Sequence, residues 1–86
     1  MAEQNATAVQ PIEIALRDEY ITLGQLLKLA GVIGSGGEAK SYLAAHVVQV
    51  NGEPEQRRGR KLREGDLIAP PNADPIRLVA EGGVDL

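Results

Sequence analysis

The dipeptide Asn51-Gly52 constrains this chain more than any other pair of neighbours. Both residue types tolerate positive φ, which a two-residue type I′ turn needs at its two central positions, so the pair is a strong hairpin signal. Val48-Gln49-Val50, just before it, alternates apolar and polar as a half-buried strand does. A chain of 86 residues has room for one domain around one modest core. A fold needing several βαβ units is out of reach.

The elements around the hairpin are short because start and stop signals lie close together. Ile12-Glu13-Ile14-Ala15-Leu16 alternates and predicts a half-buried strand. Thr22 with Gln25 three residues on makes a capping box, and Leu23, Leu26, Leu27 and Ala30 follow at the spacing of one apolar helical face. Gly31 stands where a left-handed C-terminal cap belongs, so the spacing predicts a helix over about 22–30. Ser35 and Glu38 repeat the start signal and predict a second helix over about 36–46, with Ala39, Tyr42 and Leu43 inward and Lys40 and Ser41 outward.

Beyond the hairpin, Leu62 begins an extended stretch, Glu64-Gly65 turns, and Asp66 to Ala69 returns as a strand. Three prolines between Pro70 and Pro75 make a loop, and Ile76 to Val79 is expected as an edge strand. Residues 1–11 lack periodicity and are expected to be a disordered lead-in, with 81–86 a loose tail and Ala80 also outside any element. That leaves 12–80 as a single domain. The expected fold class is α+β: two short N-terminal helices packed on a small antiparallel sheet.

Composition removes several kinds of chemistry. With no Cys there is no disulfide framework, thiolate metal site or cysteine nucleophile, and one His cannot form a two-histidine metal pair. Aromatic residues are 2% of the chain, which argues against a nucleic-acid reader built on stacked aromatic platforms. Apolar runs fall far short of the ~20 residues that span a bilayer, and no signal-peptide pattern opens the chain. A cytoplasmic module without a membrane partner is expected.

Catalysis finds no foothold. Ser35 or Ser41, His46 and Asp66 are the residue types of a hydrolytic triad, but Ser41 and His46 are turned about 140° apart on a helix. Gly34 to Ser41 imitates a Walker A loop, with Ala39 in place of its second glycine and no preceding buried strand. No enzyme activity and no cofactor are expected.

The net charge of −3 conceals a basic middle. Between positions 21 and 63, seven cations face three carboxylates, while both flanks are acidic. The peak is Arg57-Arg58-Gly59-Arg60-Lys61-Leu62-Arg63, five cations with no acid among them. Such a local field attracts polyanions even on an acidic molecule.

The segments Thr22 to Gly31, Ser35 to Lys40, Val48-Gln49-Val50-Asn51-Gly52 and Leu62 to Ile68 together resemble the RNA-binding domain of small-subunit ribosomal protein S-four, the alpha-L motif. The run Arg57 to Lys61 is most similar to the small stand-alone members, the YbcJ and YaaA type. The resemblance implies a helix pair on a small sheet, with structured RNA, ribosomal or transfer RNA, lying across the helices and a basic hairpin. A ribosome-associated role is implied with it. Carried over by position, Ser35, Gly37 and Lys40 at the second-helix start and Arg57, Arg58, Arg60 and Lys61 on the hairpin would contact RNA, with Lys28 beside them. Many members have Ser-Arg where this chain has Ser35-Gly36.

Three other readings compete. Val50-Asn51-Gly52, Gly65-Asp66 and a late Gly82-Gly83 are also similar to a β-grasp sulfur carrier, though such a carrier ends in free Gly-Gly and here Val84-Asp85-Leu86 follow. Two short consecutive helices admit a DNA-binding helix-turn-helix, for which Glu38, Lys40, Ser41 and Ala44 are poor base readers. A protein-binding adaptor would keep its affinity after the cations were removed.

Overall fold

A computed structural model describes residues 11–81. The chain opens with strands β1 (Ile12–Leu16) and β2 (Ile21–Thr22), followed by helix α1 (Leu23–Leu29). A single 3₁₀ turn (Gly36–Glu38) leads into α2 (Ala39–Ala45). Five strands complete the fold: β3 (Val48–Val50), β4 (Glu53–Glu55), β5 (Lys61–Leu62), β6 (Leu67–Ala69) and β7 (Ile76–Ala80). The fold is α+β, but strands, not helices, come first.

The caps account for the helices. Thr22 Oγ1 accepts from the Gln25 N–H at 3.3 Å while Gln25 Oε1 accepts from the Thr22 N–H at 3.0 Å, closing the capping box. At the other end Gly31 takes φ +79°, its N–H donating to Lys28 and that of Val32 to Leu27. This is a Schellman stop, which glycine enters without steric cost. The second helix starts less regularly. The Glu38 carboxylate accepts from the N–H groups of Ser35 and Gly34, and Gly36-Gly37 fall in the 3₁₀ turn rather than in the α-helix. Two glycines in the first turn weaken the helical backbone where this happens.

The main sheet has the order β1-β7-β6-β3-β4. Its β3–β4, β3–β6 and β6–β7 pairings are antiparallel, but β1 pairs with β7 in parallel, Ile12 opposite Ile76. The expected purely antiparallel sheet is therefore mixed, and β7 is an interior strand rather than an edge. β1 supplies the missing neighbour, and the ladder runs through Ala80, with the Glu81 N–H reaching Leu16 O at 3.3 Å. Ala80 and Glu81 are thus held, while the expectations for residues 1–10 and 82–86 lie outside the described residues. A second, two-stranded sheet pairs β2 with β5 and sits at the start of α1.

Asn51 and Gly52 take φ +54° and +86°, as the I′ hairpin turn between β3 and β4 requires. Pro54 falls on β4, an edge strand, where a lost backbone donor is tolerated. The Asn51 amide also reaches sideways. Its nitrogen donates to Asp66 Oδ1 at 3.0 Å and its oxygen accepts from the Leu67 N–H at 2.9 Å. Asp66 in turn accepts from the Arg63 N–H at 2.8 Å, so two turns distant in sequence are tied together.

Leu23, Leu26 and Leu27 of α1 pack with Ala39 and Leu43 of α2 onto Val48, Val50, Leu62, Ile68, Ile76 and Leu78. Each buried leucine contributes about 2 kcal/mol of apolar transfer. One face of the sheet is thus covered by the helix pair, as alternation along β3 and β7 demands.

Candidate nucleic-acid interface

The basic run does not lie on the β3–β4 hairpin, where the sequence reading placed it. It forms the connection from β4 to β5 and crosses from one sheet to the other. A carboxylate organises it. Glu55 ends β4 opposite Val48, on the core side of the strand, and is buried at 7% exposure. Its Oε2 accepts from Arg57 Nε at 2.9 Å and from the Arg57 N–H at 3.0 Å, and its Oε1 accepts from Arg57 Nη2 at 3.1 Å. Arg60 Nη1 adds a fourth bond at 2.8 Å. The Arg57 guanidinium holds the Glu55 carboxyl down at about 2 against the opposing cost of burial, with the Arg57 amide and Arg60 adding to the effect.

The loop built on Glu55 is docked on α1 by its backbone. Arg60 N–H donates to Arg57 O at 3.1 Å, closing a tight turn. The Leu23 and Gly24 N–H groups then donate to the carbonyls of Arg60 and Arg58, each at 2.9 Å. With Gln25 held by Thr22, the first three amides of α1 all have partners within the fold. Gly24 permits this approach, because a Cβ there would stand 3.2 Å from Ala39 Cβ and 3.4 Å from both Arg58 Cβ and Arg58 O. Carbonyls face the helix, and the side chains are left to the outside.

Two concavities result. One, of about 470 Å³, is lined by Arg57, Gly59, Arg60, Lys61 and Arg63. The other, of about 330 Å³, lies where α1, the 3₁₀ turn and the loop meet, and brings Lys28 together with Arg58, Gly36 and Gly59. Gly59 lines both, so the basic surface is continuous from β5 to α1. Among the described residues, Lys28, Arg58, Lys61 and Arg63 make no ion pair, whereas Arg57 and Arg60 share Glu55.

The structure thus brings Lys28, Arg57, Arg58, Arg60 and Lys61 together. Ser35, Gly37 and Lys40 are exposed at the second-helix start and line neither concavity. The Glu38 carboxylate already occupies the amides of Gly34 and Ser35 there, which places negative charge where the family resemblance implies an RNA contact. Glu55 was missed by the sequence reading. The signal was available: in the register set by Asn51-Gly52, position 55 faces inward beside Val48, and an inward carboxylate needs cations close by.

Residues 14–79 match the S4 domain family, and the chain belongs to it. It is similar to a Bacillus subtilis (strain 168) protein named probable ribosome maturation protein RlbA, 60% identical over 55 residues. That alignment covers 64% of this chain and 78% of the Bacillus protein.

Proposed function

We propose that this chain is a non-catalytic binder of structured RNA, ribosomal or transfer RNA, acting in the cytoplasm in association with the ribosome. The observation that carries the reading is the continuous cationic surface from Lys61 and Arg63 through Arg58 to Lys28, with no described carboxylate lining either of its two concavities. Guanidinium forks fit phosphate bidentately, and a surface of this kind reads backbone shape rather than sequence. Membership of the S4 domain family and likeness to a protein named for ribosome maturation support the same direction. No helix among the described residues is long and apolar enough to cross a membrane.

The test is a salt titration of binding to a ribosomal RNA fragment and to a transfer RNA. With about four phosphates engaged, log K falls against log salt with a slope of about −3. A slope near zero for both RNAs sinks the reading.

A further inference from the structure

Tyr20 lines neither basic concavity but touches two of the cations beside them. It precedes β2, is 39% exposed, and has two cations on its ring: Lys61 Nζ lies 4.9 Å from the centroid and Arg63 Cζ 5.9 Å. Lys61 and Arg63 are alternate residues of one extended stretch, so their side chains leave it on the same side. Tyr20 also lines an open groove of about 570 Å³ with Ile21, Gln25, Lys28 and Leu29, the last 63% exposed. Lys28 belongs both to this groove and to the one containing Arg58.

The charges around the groove select what fits there. Asp18 lines it, and the Arg17 guanidinium is engaged by Glu81 at 3.3 Å, so a phosphate gains little inside. A flat uncharged ring gains apolar contact with Ile21 and Leu29, the Tyr20 ring and the Lys28 ammonium beside it, the combination on which single-stranded bases stack. A backbone running from Arg58 past Lys28 would deliver its next nucleotide to this place.

We propose that Tyr20, steadied by Lys61 and Arg63, is a stacking platform for one unpaired base of the RNA whose phosphates follow Arg58 and Lys28. This inference rests on the RNA-binding reading above and adds a nucleotide-level contact to it.

The test uses the full chain and two RNA hairpins, identical except that one carries a single unpaired adenine and the other an abasic residue in its place. Wild type binds the adenine hairpin about tenfold more tightly. Tyr20→Phe keeps that preference and Tyr20→Ala abolishes it. The chain has no Trp, so Tyr20→Trp introduces one reporter, quenched by the adenine hairpin and not by the abasic one. Tyr20→Phe and Tyr20→Trp carry the test if Tyr20→Ala fails to fold. Wild type binding neither hairpin overturns the RNA reading and the platform with it. Equal binding of both hairpins, with no quenching at position 20, overturns the platform alone and gives the groove to another occupant, such as a protein.

Discussion

Arg60 Nη1 donates to Glu55 Oε1 at 2.8 Å beneath a loop that otherwise presents only positive charge. With the Arg57 fork on the same carboxylate, this contact turns a run of mutually repelling cations into a folded loop. A buried acid at the base of a basic surface determines where the surrounding guanidiniums can go.

Removing that acid leaves two cations without a partner. Glu55→Gln is expected to lower stability by about 2 kcal/mol at neutral pH, less than a fully buried pair would lose because Arg57 is largely solvated. The pH dependence follows in sign. The folded carboxyl titrates at about 2 against an ordinary 4.5, so its contribution is complete above the ordinary value and is lost as pH falls toward 2. Thermal melts of wild type and Glu55→Gln should therefore differ at pH 7 and converge in that acid window. A gap unchanged at low pH would contradict the assignment.

Asn51 does two separable things: it adopts φ +54°, and its amide bonds Asp66 and Leu67. Asn51→Gly keeps the turn conformation and loses the bonds, at a cost of about 1 kcal/mol. Asn51→Ala loses both and costs about 2 kcal/mol. Denaturant unfolding of the two variants should preserve that order.

Among the described side chains, the Tyr42 hydroxyl is a buried polar atom without a hydrogen-bond partner. Its ring lies against His46, with centroids 4.6 Å apart. Burial raises the hydroxyl above its ordinary value, which is the same desolvation seen from the proton's side. Tyr42→Phe deletes the orphaned group and keeps the ring, so it is expected to be neutral or to stabilise by up to about 1 kcal/mol in a thermal melt.

Cations that make no ion pair and cations that hold the loop should separate by experiment. Lys28→Ala and Arg58→Ala are each expected to reduce the salt slope of RNA binding by about one while leaving the melting temperature nearly unchanged. Arg57→Ala should lower both affinity and stability, because it strips Glu55 of its principal partner. Equal melting temperatures for Arg57→Ala and Arg58→Ala would contradict the division.

What could be read from sequence was local. Thr22, Gln25 and Gly31 bound α1 through contacts within a few residues, and Asn51-Gly52 sets its own turn, so these features needed no knowledge of the rest of the chain. The pairing of Ile12 with Ile76 joins opposite ends of the fold, and no local pattern distinguishes a strand that lies inside a sheet from one at its edge. The basic run was legible as charge but not as geometry. Its placement depends on Gly24 letting Arg58 come close, and on a glutamate whose inward direction appears only once the hairpin register is known.

The amides that begin α1 hang on the carbonyls of Arg58 and Arg60. Whatever grips the outward side chains of that loop therefore also clamps the helix behind it. Hydrogen exchange at Leu23 and Gly24, neither of which faces solvent, should slow when the loop is occupied. Two sheltered backbone protons would thus report on an event at the surface.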